Sequence, residues 1–309
     1  MIVVLILLSV QQLLAQDPLQ IAKADTLFAY GEWKAAHAIY DRLIAQRDAD
    51  AHVHHMRGVC KDRLDMDDEE VMADINEALR LDPHLFKALL YRASVYSAMR
   101  MFDREIADLT VALEYAPDTA GLVKCFTERG TAHYSRRDFE PSIADLTRAL
   151  ELDSTAHAAY GRLANTLEEV GRGEEALKMQ IRYTELVPED WTGYVNAGFY
   201  LANMGRYEEA LEWYAKAFER DNASESYHLW NNRGYARYKL GDMKGALKDV
   251  RKSISMKPSN AYAYRNLALI HIAEARNDDA CTALEKALSQ GFTAQYGDEV
   301  RDLYRTHCK

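Results

Sequence analysis

The chain has 309 residues, a formal net charge of -10, 48% hydrophobic and 28% charged residues, and only six prolines and fifteen glycines. That composition excludes a disordered chain and provides for a sizeable core. The acidic balance sets nucleic acid aside as a partner, because affinity for phosphate backbones comes largely from cations that release counterions. From Asp17 onward Ala, Leu, Glu, Arg and Lys dominate and strand signals are absent, so the fold class is all-α.

Residues 1–10 form an apolar run, followed by Gln11-Gln12, Leu13-Leu14-Ala15 and then Asp17-Pro18. The pattern reads as a signal peptide over 1–15 with Ala15 at the cleavage site, although no Lys or Arg supplies a basic start. The run is short for a membrane span, and a buried or anchoring N-terminal helix is the competing reading. Export predicts a periplasmic or secreted protein without a stable membrane span after cleavage, in a compartment where cysteine pairs persist.

Beyond the leader, one pattern recurs. The pairs Arg57-Gly58, Arg92-Ala93, Arg129-Gly130, Leu163-Ala164, Ala197-Gly198, Arg233-Gly234 and Leu267-Ala268 follow one another at close to 34 residues, and Lys23-Ala24 extends the series backwards. The second slot is always Gly or Ala, which is what two helices need where their backbones approach most closely. Each pair is followed by a short turn, marked by Gly31, Gly171, Gly205 or Gly241 in half the copies, and by a second helix carrying a small residue such as Ala36, Ser142, Ala176, Ala210, Ala246 or Ala280. Pro83, Pro117, Pro188 and Pro258, with Ser154 and Asn222 elsewhere, cut one unit from the next. Eight units begin near residues 17, 51, 86, 123, 157, 191, 227 and 261.

This period, and the stretch from Tyr207 through Ala210, Trp213 and Tyr214 to Ala217, resemble the tetratricopeptide repeat family. The resemblance implies a right-handed superhelix of about eight antiparallel helix pairs over 16–292, closed by a C-terminal capping helix over 293–309. It also implies a concave groove, lined by the first helix of each pair, that binds a protein or an extended peptide. Each unit alone leaves an apolar face open, so stability comes from stacking.

Two slots covary within the chain. Arg57, Arg92, Arg129 and Arg233 are matched by Asp74, Asp108, Asp145 and Asp249 in the following second helix; the other four units carry Lys23/Ile39, Leu163/Met179, Ala197/Trp213 and Leu267/Ala283. Guanidinium and carboxylate match geometrically, so these are expected to be partly buried structural ion pairs across each hairpin rather than catalytic groups.

The groove candidates lie in the C-terminal half. Asn196, Asn232 and Asn266 stand one step before the recurring pair and resemble the asparagine ladder with which some tetratricopeptide superhelices grip a peptide backbone. Phe199, Asn231, Tyr235, Tyr262 and Arg265 surround them, and Arg265 beside Asn232 offers a weak match to a terminal-carboxylate clamp. The competing reading is that these amides only hydrogen-bond neighbouring helices. His52, His54 and His55 lack the spacing of a closed metal site and are read as solvated groove residues; no metal or cofactor is expected.

Cys60 and Cys125 fall in non-adjacent units and read as core residues. Cys281 and Cys308 bracket an ending that resembles exported bacterial tetratricopeptide proteins, and they are either a disulfide holding the cap or two reduced thiols. No nucleophile elbow, phosphate loop, dinucleotide fingerprint or zinc-protease pattern is present, so the chain is read as a non-enzymatic binding scaffold. A structural spacer or self-associating module is the alternative, ahead of an enzyme with an unrecognised site.

Overall fold

The computed structural model describes residues 18–47 and 49–308; the expected signal peptide at 1–15 lies outside the described residues. No strand occurs among the described residues. The chain divides into two compact units at Ser154/Thr155.

The first unit contains four helix hairpins: α1 (Pro18–Ala29) with α2 (Trp33–Ala45), α3 (Ala51–Arg63) with α4 (Asp68–Leu81), α5 (Phe86–Ala98) with α6 (Phe102–Glu114), and α7 (Thr119–Arg136) with α8 (Phe139–Leu152). Seven of the eight repeat starts fall within a residue of the expected position. The fourth helix pair is the exception: α7 begins at Thr119 rather than Val123, because the Asp118 carboxylate accepts a hydrogen bond from the Gly121 backbone N–H and caps an extra turn.

The second unit repeats the plan with α9 (His157–Glu169) and α10 (Gly173–Leu186), α11 (Trp191–Asn203) and α12 (Tyr207–Phe218), α13 (Tyr227–Lys239) and α14 (Met243–Met256), and α15 (Ala261–Ala273) and α16 (Asn277–Ser289). Two helices follow where one cap was expected: α17 (Phe292–Tyr296) and α18 (Glu299–His307). Gly297, at φ +89°, breaks the segment between them.

All eight hairpin turns share one backbone solution. A residue in the left-handed region closes each first helix: Gly31, Asp65, Arg100, Arg137, Gly171, Gly205, Gly241 and Ala275. The next N–H then reaches back to a carbonyl in the last turn, as from Glu32 to Leu27 and from Arg276 to His271. Four turns are made without glycine, at a local cost of about 1–2 kcal/mol where the residue is Ala.

The recurring small slot is buried in every copy, from Ala24 to Ala268. Its tightest instance is in the second unit, where Tyr214 of α12 lies across Gly198 of α11. A Cβ added at Gly198 would stand 2.5 Å from Tyr214 Cε1. Tyr214 is fully buried in a cluster with Tyr194, Leu201, Ala217 and Leu229, and burying a side chain of that size contributes about 1.5–3 kcal/mol. Gly161 of α9, also mid-helix, meets nothing nearer than 3.5 Å.

The two glycines should therefore respond oppositely to the same substitution. Gly198→Ala is expected to destabilise the chain by about 1–3 kcal/mol through overpacking, and Gly161→Ala to stabilise it by up to about 1 kcal/mol through helix propensity. Chemical denaturation of both variants checks this; equal effects of the same sign would refute the close approach at Gly198.

Candidate functional site

A cleft of about 600 Å³ opens on the first helices of the second unit. Helical spacing assembles it, since residues four apart share a face. Phe199 and Asn203 come from α11, His228 with Asn232 and Asn231 with Tyr235 from α13, and Tyr262 with Asn266 from α15. Arg265 and Asn260 complete the α15 side, Tyr296 of α17 forms an edge, and Tyr214 joins the lining from beneath α11.

Seven of the eight residues expected in the groove line this cleft; Asn196 is half-buried on α11 and is not part of the lining. Asn203, His228, Asn260 and Tyr296 were not anticipated. The first two sit four residues from Phe199 and Asn232, a spacing that could have identified them. Tyr296 lies beyond the last repeat, where the period gives no signal.

The amides do not form a free ladder. Asn266 is buried and donates from Nδ2 to Oδ1 of Asn231, itself buried, at 2.9 Å across the α13–α15 boundary. Arg265 Nη1 donates to Asn266 Oδ1 at 2.8 Å. The remainder of the Arg265 guanidinium faces Glu299 of α18, with Nε 3.2 Å from both carboxylate oxygens and Nη2 also bonded to Oε1, while the Tyr235 ring lies 5.1 Å away. The expected carboxylate clamp is therefore already filled by a carboxylate of the same chain. Asn203 and Asn260 each donate to a neighbour, Glu168 and Ser253 respectively.

Electrostatically the cleft is quiet. Its one charged lining residue is paired, and burial together with nearby Lys257 pushes the His228 imidazole below its ordinary pKa, towards the neutral form. Burial raises the pKa of the Tyr214 phenol and so keeps it protonated; its hydroxyl has no hydrogen-bond partner in the protein. A second cleft of about 540 Å³ between α15 and α16 is more open and is lined by Asp279, Glu285 and Lys286 around His271. No comparable set of amides and rings converges there.

The four covarying pairs share one geometry. In each, Nε and Nη2 of the Arg donate side-on to the two carboxylate oxygens: Arg57 to Asp74 at 2.9 and 2.6 Å, Arg92 to Asp108 at 2.8 and 2.8 Å, Arg129 to Asp145 at 2.8 and 2.8 Å, and Arg233 to Asp249 at 2.7 and 2.8 Å. In the first unit the remaining nitrogen reaches back to the preceding hairpin, at Asp41, Asn76 and Thr110. Arg233 instead lies over Phe218 and Trp230, at 4.1 and 4.8 Å.

The three histidines diverge. His52 meets the Asp25 carboxylate, whereas His55 is buried, packs edge-on against Tyr91 and has its pKa lowered to about 4 by desolvation. His54 lies near Asp74. The expectation of solvated groove residues thus fails for His55, whose helix turns it against Tyr91, and for His54, whose side chain is only 13% exposed. Among the described residues no group of three or more His, Cys, Asp or Glu is placed to hold a metal. Cys60 and Cys125 are free and fully buried. Cys281 and Cys308 are joined in a disulfide with Cα atoms 5.6 Å apart, tying the end of α18 to α16. No helix of the described residues is long and apolar enough to cross a membrane.

Comparison with known proteins places these features in a family context. Residues 195–261 and 231–296 match the tetratricopeptide repeat family model, a span that contains nearly all of the cleft. The Hsp70-Hsp90 organizing protein of Triticum aestivum is 27% identical over 205 residues, which are 64% of this chain and 34% of that protein. Among solved structures, a tetratricopeptide repeat protein from Parabacteroides merdae superposes with a TM-score of 0.57 at 18% identity, covering 81% of this chain and 97% of that one. A chain of the APC/C hetero-tetramer Cut9-Hcn1 superposes with a TM-score of 0.63 at 16% identity, covering 95% of this chain and 56% of that one. The fold is the tetratricopeptide solenoid type, and the chain spans about a third of the wheat relative it matches. Proteins of this family are in general protein-binding scaffolds.

The shared pair geometry gives a quantitative expectation. Asp145 is 6% exposed, so Arg129→Leu alone should cost about 3 kcal/mol by stranding a buried carboxylate, while the double change Arg129→Leu/Asp145→Met should recover most of that loss. Thermal unfolding of the three proteins measures it; equal losses in single and double variants would contradict a coupled pair.

Proposed function

We propose that the chain is a non-enzymatic scaffold acting outside the cytoplasm, which binds a protein or an extended peptide through the first-helix cleft of the second unit. The observation that carries this reading is the cleft itself. Phe199 and Tyr262 keep 41% and 39% of their surface exposed beside amides that retain unused hydrogen-bonding capacity. Flat rings supply contact area at small entropic cost, and amides both donate and accept, which is the inventory of a recognition surface.

Family membership of the matched repeats supports the binding role. The Cys281–Cys308 disulfide supports an oxidising compartment, as does the apolar start of the sequence, because glutathione and thioredoxin keep cytosolic thiols reduced. The 27-residue separation of the two cysteines corresponds to about 3.5 kcal/mol in the chain-entropy picture, enough to hold the terminal helices against the last repeat.

Affinity capture from a native envelope fraction tests the proposal. The double change Phe199→Ser/Tyr262→Ser, with its fold checked by thermal unfolding because Tyr262 also packs against the buried Phe292, is expected to reduce recovery of the partner at least tenfold. Undiminished recovery would move the binding surface elsewhere on the chain.

A further inference from the structure

The cleft carries more information than its existence. Charged residues make up 28% of the chain, yet among the thirteen residues lining the cleft only Arg265 bears a fixed charge, and Glu299 neutralises it. A charged ligand group entering here would lose hydration and find no unpaired counter-charge among the lining residues, which disfavours it in a partly desolvated site. Carbonyl and amide groups would fare better, because Asn203, Asn232 and Asn260 each retain part of their hydrogen-bonding capacity.

The second observation is the identity of the group on Arg265. Glu299 presents a carboxylate to the guanidinium side-on, the arrangement that a peptide's terminal carboxylate would adopt. Being part of the same chain, and on a helix fastened by Cys281–Cys308, it competes at a high effective concentration with any free carboxylate.

We propose that the cleft accepts an uncharged internal segment of an extended polypeptide, and that Glu299 closes it to carboxyl-terminal ends by occupying Arg265. This rests on the peptide-binding reading above and narrows it to a ligand class. A terminal carboxylate would have to displace Glu299, whereas an internal segment can run past the filled Arg265, with its backbone on the amides and an apolar or aromatic side chain among Phe199, Tyr262 and Tyr296.

The experiment pans a random phage-displayed dodecapeptide library on the oxidised protein. Enriched sequences are then synthesised with free and with amidated C-termini, and their affinities measured by fluorescence anisotropy. Enriched sequences are expected to lack Asp, Glu, Lys and Arg in their shared segment, and amidation should change Kd less than twofold. Asn232→Asp, which places a charge in the lining at constant size, should weaken binding at least tenfold. In Glu299→Gln, whose fold is checked by thermal unfolding, the free-carboxylate peptides should gain at least tenfold over their amidated twins. A tenfold dependence on the free carboxylate in the native protein, or enrichment of acidic or basic residues, would overturn the inference while leaving peptide binding intact. Failure of any sequence to enrich would overturn the peptide reading itself.

Discussion

The structure depends on one repeated contact: the place where the two helices of each hairpin come close enough that only Gly or Ala fits. A Cβ added at Gly130 would lie 2.8 Å from Leu146 Cγ, and one added at Gly234 would lie 2.8 Å from Val250 Cγ2. This contact fixes the rotation of each first helix about its own axis. Once that is fixed, the faces carrying Phe199, Asn232 with Tyr235, and Tyr262 with Asn266 are fixed too, and the cleft on α11, α13 and α15 follows from the same register in three successive hairpins. The left-handed residue that closes every first helix serves this contact, since it turns the chain back without lengthening the connection.

Beside the small slot, the two units use different chemistry. The first has three Arg–Asp pairs, each with its outer nitrogen bonded to the hairpin before. Buried pairs of this kind contribute little net stability compared with apolar residues of similar volume, but they penalise misalignment heavily, because a displaced partner leaves a charge without compensation. They are thus better understood as holding register than as adding stability. The second unit has one such pair, Arg233–Asp249, and fills the equivalent slots with Leu163, Ala197 and Leu267. The lining of the cleft holds no fixed charge apart from Arg265, and Arg265 is neutralised from outside the repeat.

Much of this was legible in the sequence. The Gly/Ala slot, the turn glycines and the covariation of Arg with Asp report short-range geometry that repeats every 34 residues, so eight copies average out the exceptions. The exceptions mark where local chemistry overrides the period. Asp118 adds a turn to α7, and Gly297 splits the expected cap into α17 and α18. At the cleft, the period identified the stripe of residues but not their state. Asn231 and Asn266 carry the residue types of a peptide grip, yet they bond to each other because their helices stand at hydrogen-bonding distance. The partner of Arg265 lies 34 residues away, in a cap with no counterpart in the repeat, so no pattern could assign Glu299 to it. His55 was misjudged for a similar reason: two histidines three residues apart can share a face on paper while packing against different neighbours, Asp25 for His52 and Tyr91 for His55.

The central claim is that the hairpin contact presents a first-helix face of the second unit as the binding surface. Site-specific photocrosslinking in the native compartment addresses it most directly. A benzoylphenylalanine replacing Phe199 or Tyr262, at the exposed rim of the cleft, should yield the same partner adduct from both positions. The same probe at Lys248, exposed on the second helix α14, should yield none. An adduct at Lys248 with none at Phe199 or Tyr262 would contradict the account.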